Sequence, residues 1–598
     1  MKFAFKPIAI AAALAFIGTA AVASPMKPGT YTAKVNGHNA PLTVEVTVDA
    51  NKILSIKTPD DQESLGVGKV GLKKTADNIL RYQSIGVDAV TGATFSSNAL
   101  KEGVEKCLKQ AGADMKQFTR KAEKHPIHNR TYQADVVVIG GGGAGLASAI
   151  SSMQAGAKKV IVLEKLGYVG GSTNVSEGAL NAVDDQRQKA QGIKDSYETF
   201  YETTMHGGHD KGDPTLVRFL TSHSMDAVNW LESLGVKFND HIGAATGSLG
   251  QRSHYPATPY GNTYIRTFEK VIADSNGKIQ VLLDTPAVKL IQNKSGRVVG
   301  VVGNNFGSKV TVMAKDGVII ATGGFGANVA YRQKVNTGVW KNIKLDNSIG
   351  CTNIQKAAQG QGLFLAQKVG AKLIGLSDIQ IHPCGTPGTG LMENIRTSGR
   401  NRIFVNSDGN RFVNEGAARD VLANAIFQQK GRTYWIVVNK LRYPTPDFKD
   451  RMGASIRNME ALGAVVEAPT LDELAKKTGM NAENLKKAIA DYNAVVSGKA
   501  KDKLGFVANN KDDKQMTEGP WYACRKVPTV HHTMGGIATD TSTRVLSVVD
   551  DKSIPGLYAA GECTGGIHGA VRIGANAVMD CLVNGKLAGE TVMKDAKK

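Results

Sequence analysis

Aromatic side chains are scarce, 6% of 598 residues, and no stretch interleaves them with basic residues, so the chain offers no stacking platform for nucleic acid. Cysteine is scarcer still. Cys107, Cys351, Cys384, Cys524, Cys563 and Cys581 are scattered without a C-x-x-C or C-x-x-C-H, which excludes covalent c-type haem and leaves too few for a disulfide framework. Each reads as a buried small hydrophobe or a free thiol. No Lys/Arg block is present, although 73 Lys+Arg against 53 Asp+Glu give a net charge of +20. A positive charge spread in this way suits an anionic substrate or an acidic partner, and not nucleic acid. Beyond the first 23 residues, no apolar run reaches the ~20 residues that a membrane span needs.

The amino terminus differs from the rest. Lys2 and Lys6 flank the start of an apolar run, about Pro7 to Phe16, and Ala21-Val22-Ala23 is a small-x-small cleavage site. Residues 1–23 therefore read as a cleaved export signal, which predicts a periplasmic mature chain with no transmembrane segment. At about 100–200 residues per domain, the remainder holds several domains. A unit at 24–115 combines strand-like alternation in LTVEVTVDANKILSIKT with helical spacing in SSNALKEGVEKCLKQAG. A polar stretch at 116–131 reads as a linker. A further domain covers 132–326, a segment of mixed texture covers 327–510, and glycine motifs resume over 511–598. His206-Gly-Gly-His209 lacks a third ligand at metal spacing, so no metal is assigned.

Glycine is in excess, 67 residues against a usual share of about 7%, and it is clustered. In ADVVVIGGGGAGLASAISSMQAGAKKVIVLEK a strand at Asp135–Ile139 runs into Gly140-x-Gly142-x-x-Gly145, a helix follows, and a strand at Val160–Leu163 ends on Glu164. This is a dinucleotide fingerprint: glycines for a tight turn and close approach to pyrophosphate, a helix N-terminus facing its charge, and an acid for ribose hydroxyls. Further glycine turns lie at Gly170-Gly171-Ser172-Thr173-Asn174, in ATGGFG (321–326) and in LYAAGECTGG (557–566). Turns gathered from such distant segments suit a large cofactor lying extended in a groove. No second complete fingerprint is present for NAD(P)H.

This distribution resembles the FAD-binding domain of the fumarate reductase and succinate dehydrogenase flavoproteins. The resemblance implies non-covalent FAD held by Gly140, Gly142, Gly143, Ala144, Gly145, Glu164, Gly171, Ser172, Thr173, Gly323, Glu562 and Ala575. Asp88-Ala89-Val90-Thr91-Gly92-Ala93-Thr94 resembles the D-x-x-[ST]-G-A-T site of FMN-binding domains, and implies FMN linked covalently to Thr94 through a phosphoester. VHHTMGGIATD, HGAVRIGANA, RFVNEGAARD and IQIHPC are similar to segments of soluble exported fumarate reductases of the flavocytochrome c type. That likeness implies that His532, Thr533 and Arg572 bind substrate carboxylate, that Arg419 is the catalytic proton donor, and that His382 holds the far end of the substrate. The chemistry is consistent on its own terms. Hydride delivered to Cβ of an enoate piles negative charge on the carboxylate, which paired cationic donors stabilise. Arg419 protonates Cα if it is held against the forming carbanion and re-supplied by a relay.

The implied architecture is α/β: an FAD-binding Rossmann-like domain (132–326 and 511–598) split by an inserted α+β capping domain (327–510), preceded by a small α+β FMN-binding domain. One loop departs from the family. Aligning Met392 and Asn406 puts Asn394 and Ile395 where fumarate reductases carry Thr-Glu, and Ser398 where they carry a relay arginine; Glu393, Arg396 and Arg400 are the nearby substitutes. A second carboxylate set against Ile395 lacks partners, at about 1–3 kcal/mol for each unmade contact. The expected protein is therefore a periplasmic 2-enoate reductase, a terminal reductase of anaerobic respiration. Its expected substrate is a monocarboxylate such as acrylate, methacrylate, a cinnamate-like acid or urocanate, with Asn394, Ile395 and His382 facing the Cβ substituent. Urocanate ranks lower because no acid stands at the aligned position. Fumarate reduction, dehydrogenation of a ketosteroid-like substrate and a flavin electron shuttle are the rivals. The implied electron donor is a membrane quinol dehydrogenase or a periplasmic c-type cytochrome.

Overall fold

The computed structural model describes residues 25–122, 126–245, 247, 249–258, 260–450, 452–508 and 512–597; the export signal expected at 1–23 lies outside them. Among the described residues no helix is long and apolar enough to cross a membrane.

The N-terminal unit is an antiparallel sheet of β1 (Gly29–Asn36), β2 (Pro41–Val48) and β3 (Ile53–Lys57) in that order. Leu42, Val44, Val46 and Val48 alternate along β2 and are all buried, because a strand's period of two places them on one face. That face packs on α1 (Gly68–Tyr82) and α2 (Thr94–Gln110), which contribute Leu72, Ile79, Leu100 and Val104. Phe118 joins the same core, and its carbonyl accepts a hydrogen bond from Ser84 Oγ at 3.1 Å. The linker expected from 116 therefore starts later, since its first residues are held by a buried ring.

The second domain is built on β4 (Arg130–Ile139), followed by α3 (Gly143–Gln154), β5 (Val160–Leu163), β6 (Ile279–Leu282) and β7 (Ser308–Ile320). With the late strand Ser553–Ala559 these form a parallel array in the order 553–559, β7, β4, β5, β6. Val136 to Ile139 and Val160 to Leu163 are buried on both faces, as expected of strands covered on each side. Because the strands are parallel, their carboxyl ends deliver Gly140, Glu164, Ala321-Thr322-Gly323 and Ala560-Gly561-Glu562 to one edge. Ligands bind at such an edge.

The inserted domain contains β8 (Ile379–Gly385), β9 (Arg402–Val405), α4 (Arg419–Phe427) and β10 (Tyr434–Asn439). Its sheet is completed by β11 (Trp521–Thr533), in the order β8, β11, β10, β9. The first half of β11 pairs with β10 and the second half with β8. The boundary expected at 510 therefore does not separate the two domains' sheets. Tyr522 and Cys524 of β11 lie in the cap's own apolar core with Phe404 and Tyr434, and the strand stays paired with β8 as far as His532 and Thr533.

The N-terminal unit docks on the second domain. Tyr168 Oη donates to the Gly92 carbonyl at 3.2 Å, and Val90 and Ala93 pack on Leu166 and Tyr168.

Candidate active site

Of the residues expected to hold FAD, all except Gly145 and Ala575 border one cavity, which is open to solvent. Gly145 sits behind it: a Cβ there would lie 1.8 Å from the Gly140 carbonyl oxygen, whereas Gly142 and Gly323 have nothing within 4 Å of theirs. The turn is therefore pressed against its own strand on one side and open on the other, where a pyrophosphate fits. Glu164 is buried, and its two oxygens accept the N–H groups of Gly141 (2.6 Å) and Leu166 (2.7 Å). Each oxygen keeps a lone pair for a ribose hydroxyl. Ala575 has φ of 70° and precedes the helix Asn576–Asp595, so a left-handed residue opens that helix N-terminus without a side-chain cap. Glu562 accepts the Thr533 N–H at 3.1 Å, and burial raises its pKa to about 7.

Thr94 is exposed as the first residue of α2, and Ala93 before it makes no side-chain cap. The first N–H groups of a helix of 17 residues are thus open to a phosphate carried on Thr94, where the helix dipole favours negative charge. Both groups fit the residues present.

Past the flavin cavity, β8, β11, α4 and the 567–575 turn bring His382, His532, Arg419 and Arg572 together. Gln380 stands opposite His532 in the ladder and His382 two residues on, so Gln380 and His382 share one face. Arg419 Nη1 donates to Gln380 Oε1 at 3.0 Å, and Gln380 Nε2 donates to the Arg572 carbonyl at 2.8 Å. Gln380 thereby joins the cap arginine to the arginine of the FAD-binding domain. Arg572 Nη1 donates to the Ile573 carbonyl at 2.9 Å, yet Arg572 Nε and His532 Nε2 are buried without a partner. Leaving each such group unmet costs about 1–3 kcal/mol, which a bound carboxylate offsets. His382 Nδ1 accepts the Cys384 N–H at 3.1 Å, which leaves Nε2 as the ring's donor.

The electrostatics agree. Burial, then the positive charge of its neighbours, pushes His532 and His382 well below the usual histidine range, and burial beside Arg419 lowers Arg572. Burial lowers Arg419 to about 10, against the opposing pull of Glu177. An arginine so shifted is a stronger acid than one in water.

Two residues expected at the substrate lie elsewhere. Ile395 is fully buried in the cap's apolar core with Phe404, Leu422 and Tyr434, and presents no surface to the space between His382, His532 and the two arginines. Burying its apolar side chain there is worth more than lining a polar cleft. Thr533 is also fully buried, and its hydroxyl lies 3.3 Å from Glu562 Oε1 while accepting the Phe325 N–H. It anchors Glu562 instead of opening toward substrate. Asn394, at φ of 61°, is partly buried in the same loop.

Sequence reasoning missed Gln380, His531 and Glu177. Gln380 had a signal, its spacing of two from His382. His531 neighbours His532; its ring lies 4.8 Å from that of His382, and its Nδ1 is 2.7 Å from Thr352 Oγ1. Glu177 had none, because it reaches the cap from a loop far away in sequence: Arg396 Nη1 donates to Glu177 Oε1 at 3.3 Å. Of the other relay substitutes, Arg400 pairs with Asp513 at 2.7 Å and Glu393 with His38 at 2.9 Å.

Residues 135–578 match the FAD binding domain family and residues 37–109 the FMN-binding domain family. The chain is 34% identical to a urocanate reductase of Eggerthella lenta over 94% of its own length and 91% of the relative's. It is also 34% identical to an NADH:acrylate oxidoreductase of Vibrio harveyi, over 94% of its length but spanning only 61% of that relative. A flavocytochrome c3 fumarate reductase solved in an open conformation superposes with a TM-score of 0.66 at 32% identity, covering 81% of this chain and 84% of the other. With FAD and FMN as its cofactors, the chain belongs to the fumarate reductase flavoprotein family, as a flavin-dependent oxidoreductase of the C=C bond of enoates with an N-terminal FMN-binding domain.

Proposed function

We propose that the protein is a periplasmic terminal reductase that reduces a 2-enoate carrying one carboxylate. The observation that carries this reading is the convergence of His532, Arg572 and Arg419, with the buried nitrogens His532 Nε2 and Arg572 Nε left without a partner. FAD, when bound, supplies the hydride. His532 and Arg572 hold the carboxylate and stabilise the charge that grows on it as Cβ is attacked. Arg419, oriented by Gln380, gives its proton to Cα.

Re-supply of that proton falls to Arg396 and Glu177. Glu177 accepts from Arg396 and its charge acts on Arg419, so an acid from the FAD-binding domain takes the place of the relay residues missing at 394–398. Glu177→Gln is expected to lower kcat by about 10²-fold while the KM for enoate changes little. An unchanged kcat in steady-state assays rules the relay out.

With Ile395 turned into the core, the distal side offers His382, Asn394 and the Arg396–Glu177 pair, and lacks the Thr-Glu pair of the fumarate reductases. This supports acrylate, methacrylate or a cinnamate-like acid. Urocanate gains support from Glu177, an acid able to accept an imidazole N–H, and from the similarity to the Eggerthella enzyme. The donor is proposed to be a membrane quinol dehydrogenase or a periplasmic c-type cytochrome, since these 598 residues hold no second nucleotide fingerprint. The test compares fumarate, acrylate, methacrylate, cinnamate and urocanate as oxidants of the enzyme under reduced methyl viologen. A monocarboxylate is expected to give the highest kcat/KM; clear preference for fumarate overturns the substrate reading, and reduction of none of them favours an electron shuttle.

A further inference from the structure

We propose that His38 and Glu393 are positioning residues that join the FMN-binding domain to the substrate loop of the cap, so that docking of the flavin carrier and the placement of residues 393–396 are set together. The two side chains meet across the domains, His38 Nε2 to Glu393 Oε1 at 2.9 Å. A second contact runs beside them, Asn458 Nδ2 of the cap donating to Gln62 Oε1 at 2.7 Å.

On the flavin side His38 is tied to the attachment point of FMN. Its ring packs edge-on against Phe95, the neighbour of Thr94, at 5.6 Å. The buried Glu63 accepts the His38 N–H at 2.6 Å and the Asn39 N–H at 3.1 Å with one oxygen, and Ser96 Oγ with the other at 2.6 Å. One carboxylate thus clamps the 37–39 loop to the first turn of α2, and neither moves without the other. On the cap side Glu393 immediately precedes Asn394, in its left-handed conformation, and lies three residues before Arg396, the partner of Glu177. Lys526 of β11 holds the Glu393 carbonyl. The same N-terminal unit is fixed to the FAD-binding domain through Tyr168 and Gly92, and through Asn174 Nδ2 donating to the Gly66 carbonyl at 3.3 Å. It therefore touches both domains that enclose the site.

The charged groups facing His38 are Glu393 from the cap and Glu63 from its own domain. Burial works against the imidazolium, but Glu393, Asn39 and Glu63 together outweigh it and raise the His38 pKa to about 9. With the side chains 29% and 27% exposed, the contact is a modest one. It steers placement and does not hold the fold.

Hydrogen–deuterium exchange on the full holoenzyme tests this with His38→Ala, Glu393→Gln and the charge-keeping His38→Lys. Exchange at 391–397 and at the 166–174 docking loop is expected to rise about fivefold in the first two variants, with FAD and covalent FMN contents unchanged. In His38→Lys, exchange and the KM for enoate are expected to stay near wild type, whereas His38→Ala raises that KM. Changes confined to residues 37–39, or a His38→Lys variant as loose as His38→Ala, overturn the proposal. Neither readout depends on which enoate is reduced.

Discussion

Arg419→Ala is expected to abolish enoate reduction, lowering kcat by about 10²–10⁴-fold, while both flavins stay bound and electrons still pass between them. The reason lies in its placement. Arg419 is the first residue of α4, buried and held by Gln380, and no other group in the cluster can deliver a proton without giving up another task. In the proposed reading His532 and Arg572 hold the carboxylate. His382 accepts a backbone N–H through Nδ1 and is kept neutral by its burial and by the arginines. Arg419→Lys is expected to recover little, because an ammonium on a flexible stem lacks the planar fork that engages Gln380 and the substrate together. Steady-state turnover on an enoate, set beside stopped-flow flavin reduction, separates the chemical step from electron delivery. If enoate turnover survives in Arg419→Ala, the proton comes from elsewhere and the assignment fails; if flavin reduction falls equally, the residue is structural.

Thr94→Ala is expected to yield a chain without covalent flavin that still holds FAD. Thr94 opens α2 on the exposed side of the N-terminal unit, beside uncapped helix N–H groups, and alanine has no oxygen to form the phosphoester. Core packing of the unit rests on Val44, Leu100 and Val104, so it folds without Thr94. On a denaturing gel the flavin fluorescence of the wild-type band should vanish, while denaturation still releases FAD. Electron flow from a cytochrome or quinol-linked donor should fall to background, and Thr94→Ser should restore some attachment. Persistent in-gel fluorescence in Thr94→Ala would place the link on another residue.

How much of this was legible in the sequence depends on the length scale of each signal. The dinucleotide turn was legible because its requirements are local: Gly145 needs a missing Cβ within five residues of Gly140, and Glu164 closes the next strand. The β2–β3 hairpin and α2 were legible through their periods. The cap boundary was not, because β11 has the composition of any buried strand, and only its pairing with β8 and β10 assigns it to the cap sheet. Ile395 was misplaced for a similar reason. Alignment fixes a position along a loop, but the left-handed Asn394 decides which way the next side chain turns.

The sequence by itself determined the two flavin motifs, since glycine turns and a helix start at Thr94 are properties of short segments. Tertiary structure alone decided that Gln380 links Arg419 to Arg572, that Glu177 serves Arg396, and that His38 reaches Glu393. These contacts join residues tens to hundreds of positions apart. No local period encodes them, because each exists only where the parallel sheet, the cap and the docked N-terminal unit meet.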